Sequence, residues 1–474
     1  MSDPVRGYRF HPLERRGLLL GLGGGQLAVV GLGAAGAVVA LRTGAGLVPA
    51  VLTLAVAAAT VWLPVSGATL LQWLPVVVSW AVSHLFPLTG PAGRTAAPPG
   101  IGLLAAPEAP GESPLGVLHD RHLGSWAAVL AVTAPPFMLL DAEDKRRQLA
   151  AWGAVLDSTA RPSSPVHRVQ WVARTLPVDV SPLRSRLDEV TRERGRGGSG
   201  AAGEQARSDA GDYEELLESA RAGAFHEVLV VVSVHARTAG RQLRAFGHGA
   251  PAVCALLRRE LRLLAGQLRR AGIEAAVPLD LEGLAGAVRR GYCPGARGST
   301  ASGGRTAWPT AWGDRWSCAR VDGRWQATFW VAEWPRREVG PDFLLPLLST
   351  TVARVVSVTM SPVPVRAAVR EAETARTAEL ADEELRRRTG FLSSARNRRR
   401  AEGVANREAE LADGHAEMRF SGYVGVSGGT PQEMEDAAAA VEAAGQQCGL
   451  ELRRIYGRQV EALTWTMPLG RGLR

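Results

Sequence analysis

From Leu18 to Leu88 the chain is almost uninterrupted apolar sequence, with Arg42 its only fully charged residue, and no Asp or Glu stands between Glu14 and Glu108. Two runs inside this window, Leu18–Leu41 and Gly46–Val65, each approach the ~20 residues a helix needs to cross a bilayer. The connection Arg42-Thr43-Gly44-Ala45 is short, so residues 18–65 are expected to form a tight antiparallel transmembrane hairpin. A cleavable signal peptide fits poorly, because the first run of 24 residues is long for one and a second run follows at once. A third stretch, Leu70–Leu88, contains Gln72, Trp73, Pro75, Trp80, His84 and Pro87. Tryptophan favours the membrane–water interface, and Pro64 and Pro75 interrupt a continuous span. Residues 66–88 are therefore expected to form an interfacial helix. A third crossing is the alternative, and it would move everything that follows to the other side.

Beyond a linker at 89–114 rich in Pro, Gly and Ala, the hydrophobic period changes. Trp126–Thr133 reads as a buried strand, Ala142–Leu156 as a helix introduced by Asp141, and Val166–Thr175 as a strand, giving a first α/β unit over 115–183. Residues 184–211 are charged and glycine-rich and are expected to be a disordered insertion. The central unit, 212–363, begins with a helix near Asp212–Ala222 and the apolar strand Glu227–His235. A long helix after Pro251 places Val253, Leu256, Leu257, Leu261, Leu264 and Leu268 on one face. A strand at Ile273–Val277, a helix at Leu281–Arg290, and strands at Trp325–Trp334 and Val352–Thr359 complete it. Residues 364–413 are charged and helical; 414–474 read as a β-α-β unit, with a strand at His415–Ser427, a helix at Pro431–Cys448 and a strand at Leu450–Tyr456. The expected fold class is a membrane-anchored α+β protein: the hairpin, then a soluble body of ferredoxin-like β-α-β units with long helices.

Charge modifies this picture little. The net charge is +9, but Lys145 is the only lysine, and with abundant Ala, Gly and Val the arginine bias looks like GC-rich coding rather than phosphate recognition. Arg386–Arg388 and Arg398–Arg400 lie among glutamates and read first as solvated helices, with a phosphate-binding arm as the lesser reading. A nucleic-acid partner is not expected. Arg6, Arg9, Arg15 and Arg16 against Asp3 and Glu14 place the N-terminus, residues 1–17, in the cytoplasm.

Catalytic signatures fail on their chemistry. A P-loop needs a lysine after its glycines, and Lys145 follows Asp141-Ala-Glu-Asp instead. Gly31-x-Gly33-x-x-Gly36 matches a dinucleotide fingerprint, yet no acid for the ribose occurs before Glu108. Gly425-x-Ser427-x-Gly429 has no histidine after it, as a nucleophile elbow requires. His119 and His122 form a pair without a third ligand, and Cys254, Cys293, Cys318 and Cys448 are too dispersed for a zinc site. No enzyme, cofactor or metal site is expected. The candidate interaction residues are Gly17, Gly21 and Gly25, whose four-residue spacing permits close helix packing, and Trp73, Trp80, Trp330 and Trp334 as interface aromatics.

The opening FHPLERRGLLLGLGGGQLAVV, the hairpin and WLPVVVSW, together with DAEDKRRQLAAWGAVL, VAEWPRREV at 331–339, GHAEMRFSGYVGV at 414–426 and YGRQVEALTWTMPLGRG at 456–472, resemble an actinobacterial family of PrgI-like membrane proteins. That resemblance implies association with conjugative, type IV-like secretion machinery. The hairpin would correspond to the small inner-membrane subunit, and the body to the non-catalytic N-terminal region of the secretion traffic ATPase. It also implies the partners: the lipid bilayer, a separate traffic ATPase, other membrane subunits, and further copies of the chain. A type VII secretion core component of the EccE kind, an extracytoplasmic domain behind three spans, and a membrane-tethered nucleic-acid-binding protein are the alternatives.

Overall fold

The structure is a computed structural model that describes residues 24–44, 46–65, 68–85, 100–107, 111, 113–133, 140–177, 186, 189, 213, 224–273, 275–294, 307–389 and 395–473. The N-terminal segment 1–17, the insertion 184–211 and the helix expected near Asp212–Ala222 fall wholly or almost wholly outside these residues.

Helices α1 (Gly24–Arg42) and α2 (Leu47–Trp62) form an antiparallel hairpin, turned through Gly44 and Gly46 at φ 75° and 95°. Among the described residues, α1 is the one helix long and apolar enough to cross a membrane, while α2 is shorter at 16 residues. Close packing of the pair depends on Gly33: a Cβ there would sit 2.4 Å from the Cβ of Ala57. A Cβ on Gly25 would meet Leu71 of the third helix at 3.9 Å, an ordinary contact distance, whereas Gly17 and Gly21 lie outside the described residues. Four-residue spacing identifies a helix face, but only the path of the second helix selects the glycine at the crossing. A two-rung ribbon, β1 (Pro64–Val65) with β2 (Ala68–Thr69), then turns the chain into α3 (Leu70–Leu85).

The remainder is a mixed α+β body on a 12-stranded sheet in which every pairing is antiparallel. The hairpin β3 (Ile101–Ala105) and β4 (Gly116–Asp120) leads to β5 (Ser125–Thr133), α4 (Ala142–Thr159), β6 (Val166–Pro177) and β7 (Ala224–His235). A short α5 (Gly240–Leu243), α6 (Gly249–Arg270), β8 (Ala275–Pro278) and α7 (Leu281–Tyr292) complete the first unit, whose strands lie in the order β8-β5-β7-β6. The second unit repeats the plan with β9 (Trp312–Asp314), β10 (Ala319–Val321), β11 (Arg324–Glu333), α8 (Leu345–Leu348) and β12 (Arg354–Pro362). A helical hairpin, α9 (Val365–Thr389) and α10 (Ala395–Ala412), separates β12 from β13 (Met418–Gly428), which is followed by α11 (Pro431–Gln447), β14 (Glu451–Arg454) and α12 (Gln459–Leu463). Its order is β14-β11-β13-β12.

The chain is thus an internal duplication. In each unit a β-hairpin pairs with the front half of the first strand, the last strand pairs with its back half, and a helix follows the last strand. The units join through equivalent strands, β6 and β12, which run antiparallel from Arg354↔Thr175 to Met360↔Val169, as a two-fold axis normal to the sheet requires.

Alternation explains the two cores. Trp126, Ala128 and Leu130 of β5 and Val230, Val232 and Val234 of β7 face α4 and α6, while Ala127, Val129, Leu229 and Val231 face α7. All six apolar positions expected on α6 are buried there. In the second unit α11 covers Ala327, Phe329, Val331, Val424 and Val426. The helix starts follow their caps: Asp141 accepts from the N–H groups of Glu143 and Asp144, and Thr430 from that of Glu433.

The opposite face of the sheet carries α7, α12 and residues 464–473. This C-terminal strap crosses the junction of the units with Trp465, Met467 and Leu469 buried. The Gln170 amide donates to the carbonyls of Trp465 and Met467 and to the Ser357 hydroxyl, and its oxygen accepts from Gly470 N–H. Arg471 pairs with buried Asp120 at 2.7 Å, and the Tyr423 hydroxyl donates to the Gly472 carbonyl.

Candidate functional site

The helix α3 has two unlike faces. Trp73, Val76 and Trp80 face the body, where Trp73 stacks obliquely on Trp316 and Tyr456 at ring distances of 5.9 and 5.4 Å, and Trp80 meets Trp316 edge-on at 5.4 Å. Trp316 and Tyr456 themselves lie 5.8 Å apart. Trp316 belongs to the turn between β9 and β10, and Tyr456 to the loop after β14. Gly457 lies under the helix at φ 71°, donating its N–H to the Trp316 carbonyl at 2.8 Å; a Cβ on it would come within 3.0 Å of Val76 and 3.1 Å of Trp316. Asp314 stiffens this seat by accepting from the N–H groups of Gln459 and Val460 at the start of α12. Gln459, fully buried, accepts from the N–H of Thr328 on β11. The other face of α3, with Leu70, Leu74, Val77, Val78 and Val82, is exposed.

The exposed apolar surface continues along the hairpin. Leu32 is 73% exposed, Val48 80% and Leu52 62%, with Val38, Val39, Leu41, Leu47, Val51, Leu54 and Val56 also outward. Monomeric water-soluble domains rarely leave so large a contiguous apolar area uncovered.

Of the four tryptophans expected at an interface, the structure brings Trp73 and Trp80 together. Trp330 is elsewhere, donating to the Ser421 hydroxyl at 3.1 Å and packing with Tyr423, Ile455 and Trp465. Trp334 packs edge-on against Phe420 at 5.3 Å and over Gly422, where a Cβ would be 2.7 Å from its ring. The residues that complete the seat, Trp316, Tyr456 and Gly457, carry one sequence signal: Tyr456-Gly457 opens the final motif quoted above.

Among the described residues no group of three His, Cys, Asp or Glu is placed to hold a metal ion. The four cysteines are buried and unpaired by disulfide, and burial pushes their thiols up. Ser427 sits within β13 opposite Gln326, and the following residues form the capped start of α11. Lys145 reaches from the first turn of α4 to Asp342 at 3.1 Å. His119 stacks on Trp126 at 3.9 Å. At the base of the arm α9–α10, Arg407 pairs with Glu417 and Arg419 with Glu371; the side chains of Arg386, Arg387 and Arg398–Arg400 lie outside the described residues. A shallow open groove of about 360 Å³ runs along Glu333–Arg337 and Gly449–Glu451.

His167, edge-on to His235 at 5.5 Å, is pushed down to about 4 by burial, with Arg168 and His235 adding to the effect. Its native pKa lies below the unfolded value, so between about pH 6.5 and 4 the unfolded chain binds a proton that the native one does not. Stability is therefore expected to fall as pH drops through that window, and His167→Gln to flatten the fall, as read by melting temperature against pH.

In comparisons with known proteins, no family model matched the chain and no curated protein matched it.

Proposed function

We propose that this protein is a non-enzymatic membrane scaffold of an actinobacterial type IV-like secretion or conjugation system, held in the cytoplasmic membrane by the α1–α2 hairpin and offering its body to a separate P-loop ATPase. The outward apolar surface of the hairpin carries the reading. Each of those Leu and Val side chains gains roughly 1.5–3 kcal/mol on leaving water, and a bilayer accepts them all at once. The basic N-terminus favours the cytoplasmic side, and an even number of crossings returns the body to it. The single lysine spans α4 and Asp342 rather than a glycine-rich loop, which leaves nucleotide hydrolysis to the partner. The PrgI-like motifs supply the secretion context. The edge strands of the 12-stranded sheet and the helical hairpin α9–α10 would offer docking surface.

The test is made on membranes. The full-length chain is expected to remain in the pellet after alkaline carbonate extraction and, once solubilised in mild detergent, to co-purify with a P-loop ATPase. A variant lacking residues 1–66 is expected in the carbonate supernatant. Extraction of the full-length chain by carbonate would overturn the anchor, and recovery of every other membrane subunit without an ATPase would overturn the docking role.

A further inference from the structure

The faces of α3 point to a second mode of membrane contact, which rests on the anchor proposed above. We propose that α3 is a membrane foot: a helix lying in the plane of the bilayer surface, clamped to the sheet edge by Trp73, Trp80, Trp316 and Tyr456, with its Leu70–Leu74–Val77–Val78–Val82 stripe seated at the boundary of headgroups and acyl chains.

The packing and approach of α3 favour this over a third crossing. Its contacts with the body run from Trp73 to Trp80, so two turns are held along the protein rather than released into lipid. The ribbon β1–β2 immediately before it has only two rungs, and its remaining backbone groups need water or headgroups, which fixes the start of α3 at the surface.

The lipid surface is also the occupant that continuity selects. The foot packs against α2, so it leaves the base of the hairpin proposed to lie in the membrane, and its exposed stripe extends the same apolar surface. In this arrangement Gly457 sets the angle between sheet and bilayer, because the left-handed backbone there lets Val76 and Trp80 approach closely. The foot would fix the orientation in which the body meets its partner, which a hairpin on a loose linker would not do.

Depth-dependent quenching tests this on the full-length protein. The four native cysteines are buried, so Val78→Cys and, separately, Val56→Cys at the exposed middle of α2 each give one accessible thiol for an environment-sensitive fluorophore. Each labelled protein is reconstituted in phosphatidylcholine–phosphatidylglycerol vesicles containing lipid brominated either near the headgroup or near the chain end. The Val78→Cys label is expected to lose more emission to the shallow quencher, and the Val56→Cys label to the deep one. A Val78→Cys label quenched most by the deep lipid means a third crossing, and one quenched by neither means water or a protein partner, a second copy included; either result overturns the foot while a deep Val56→Cys label leaves the anchor standing. A Val56→Cys label that no lipid quenches overturns the anchor, and the foot with it.

Discussion

Removal of residues 464–474 is expected to leave a chain that does not fold. Terminal segments usually tolerate truncation, but tolerance depends on burial rather than position. Here Met467 is fully buried and Trp465 and Leu469 nearly so, each contributing roughly 1.5–3 kcal/mol through apolar area. Their loss also breaks the hydrogen bonds of the Gln170 amide and the Tyr423 hydroxyl to the strap and the pairing of Arg471 with Asp120. Each such hydrogen bond contributes about 0.5–1.5 kcal/mol net. Combined, these losses reach the 5–15 kcal/mol that typically separates a native domain from its unfolded chain. The truncated protein is expected to aggregate, and a monodisperse sample in detergent with a cooperative melting transition would contradict this. A graded version is Gln170→Leu, which keeps the volume but leaves the Gly470 N–H without its acceptor, while the Met467 carbonyl still accepts from the Leu469 N–H, at an expected cost of about 1–3 kcal/mol.

Glu227→Ala is expected to be nearly as damaging, for an electrostatic reason. Glu227 on β7 is shared by Arg174 on β6 at 3.4 Å and Arg290 on α7 at 2.5 Å, and the Arg174 side chain is fully buried. Burial already holds the Arg174 guanidinium down at about 10, with Glu227 as the main opposing influence. Without the carboxylate, one buried cation remains, with a second beside it. Breaking a buried pair in this way costs about 3–5 kcal/mol. The double variant Arg174→Met, Glu227→Leu removes both charges and is expected to recover much of the loss, since Arg290 is partly exposed and can turn to solvent. Melting of the purified full-length protein in detergent separates the cases. Equal melting temperatures for the single and double variants would show that packing, not charge, sets the effect.

The elements were largely legible in the sequence. The expected helix at Ala142–Leu156 forms as Ala142–Thr159 behind the Asp141 cap, and the expected strand at Val166–Thr175 forms as Val166–Pro177. Both depend on nearest-neighbour chemistry: a cap, and a run of β-branched and aromatic residues. The β-hairpins were not legible. Ile101–Ala105 lies inside the segment read as a linker, because five residues between Pro- and Gly-rich sequence carry no period of their own and become a strand only beside β4. The unit boundaries shift for the same reason. Sequence order separates 115–183 from 212–363, whereas β7 inserts between β5 and β6, and the first unit extends from Ile101 to Tyr292.

For the site, the distinction is sharper. The apolar window, its two long runs, the interfacial tryptophans and the absence of acids are properties of residue type, and they determined by themselves that the N-terminal region is a pair of apolar helices followed by a third of different character. Which glycine the hairpin packs on, that Trp73 and Trp80 meet Trp316 and Tyr456 while Trp330 and Trp334 do not, and that Gly457 lies beneath them required the tertiary structure. Those partners lie more than 200 residues apart along the chain. Hydrophobic period reports only which side of an element avoids water; what the other side touches is settled by long-range strand pairing, and here that pairing carries Trp316 and Tyr456 to one edge of the sheet.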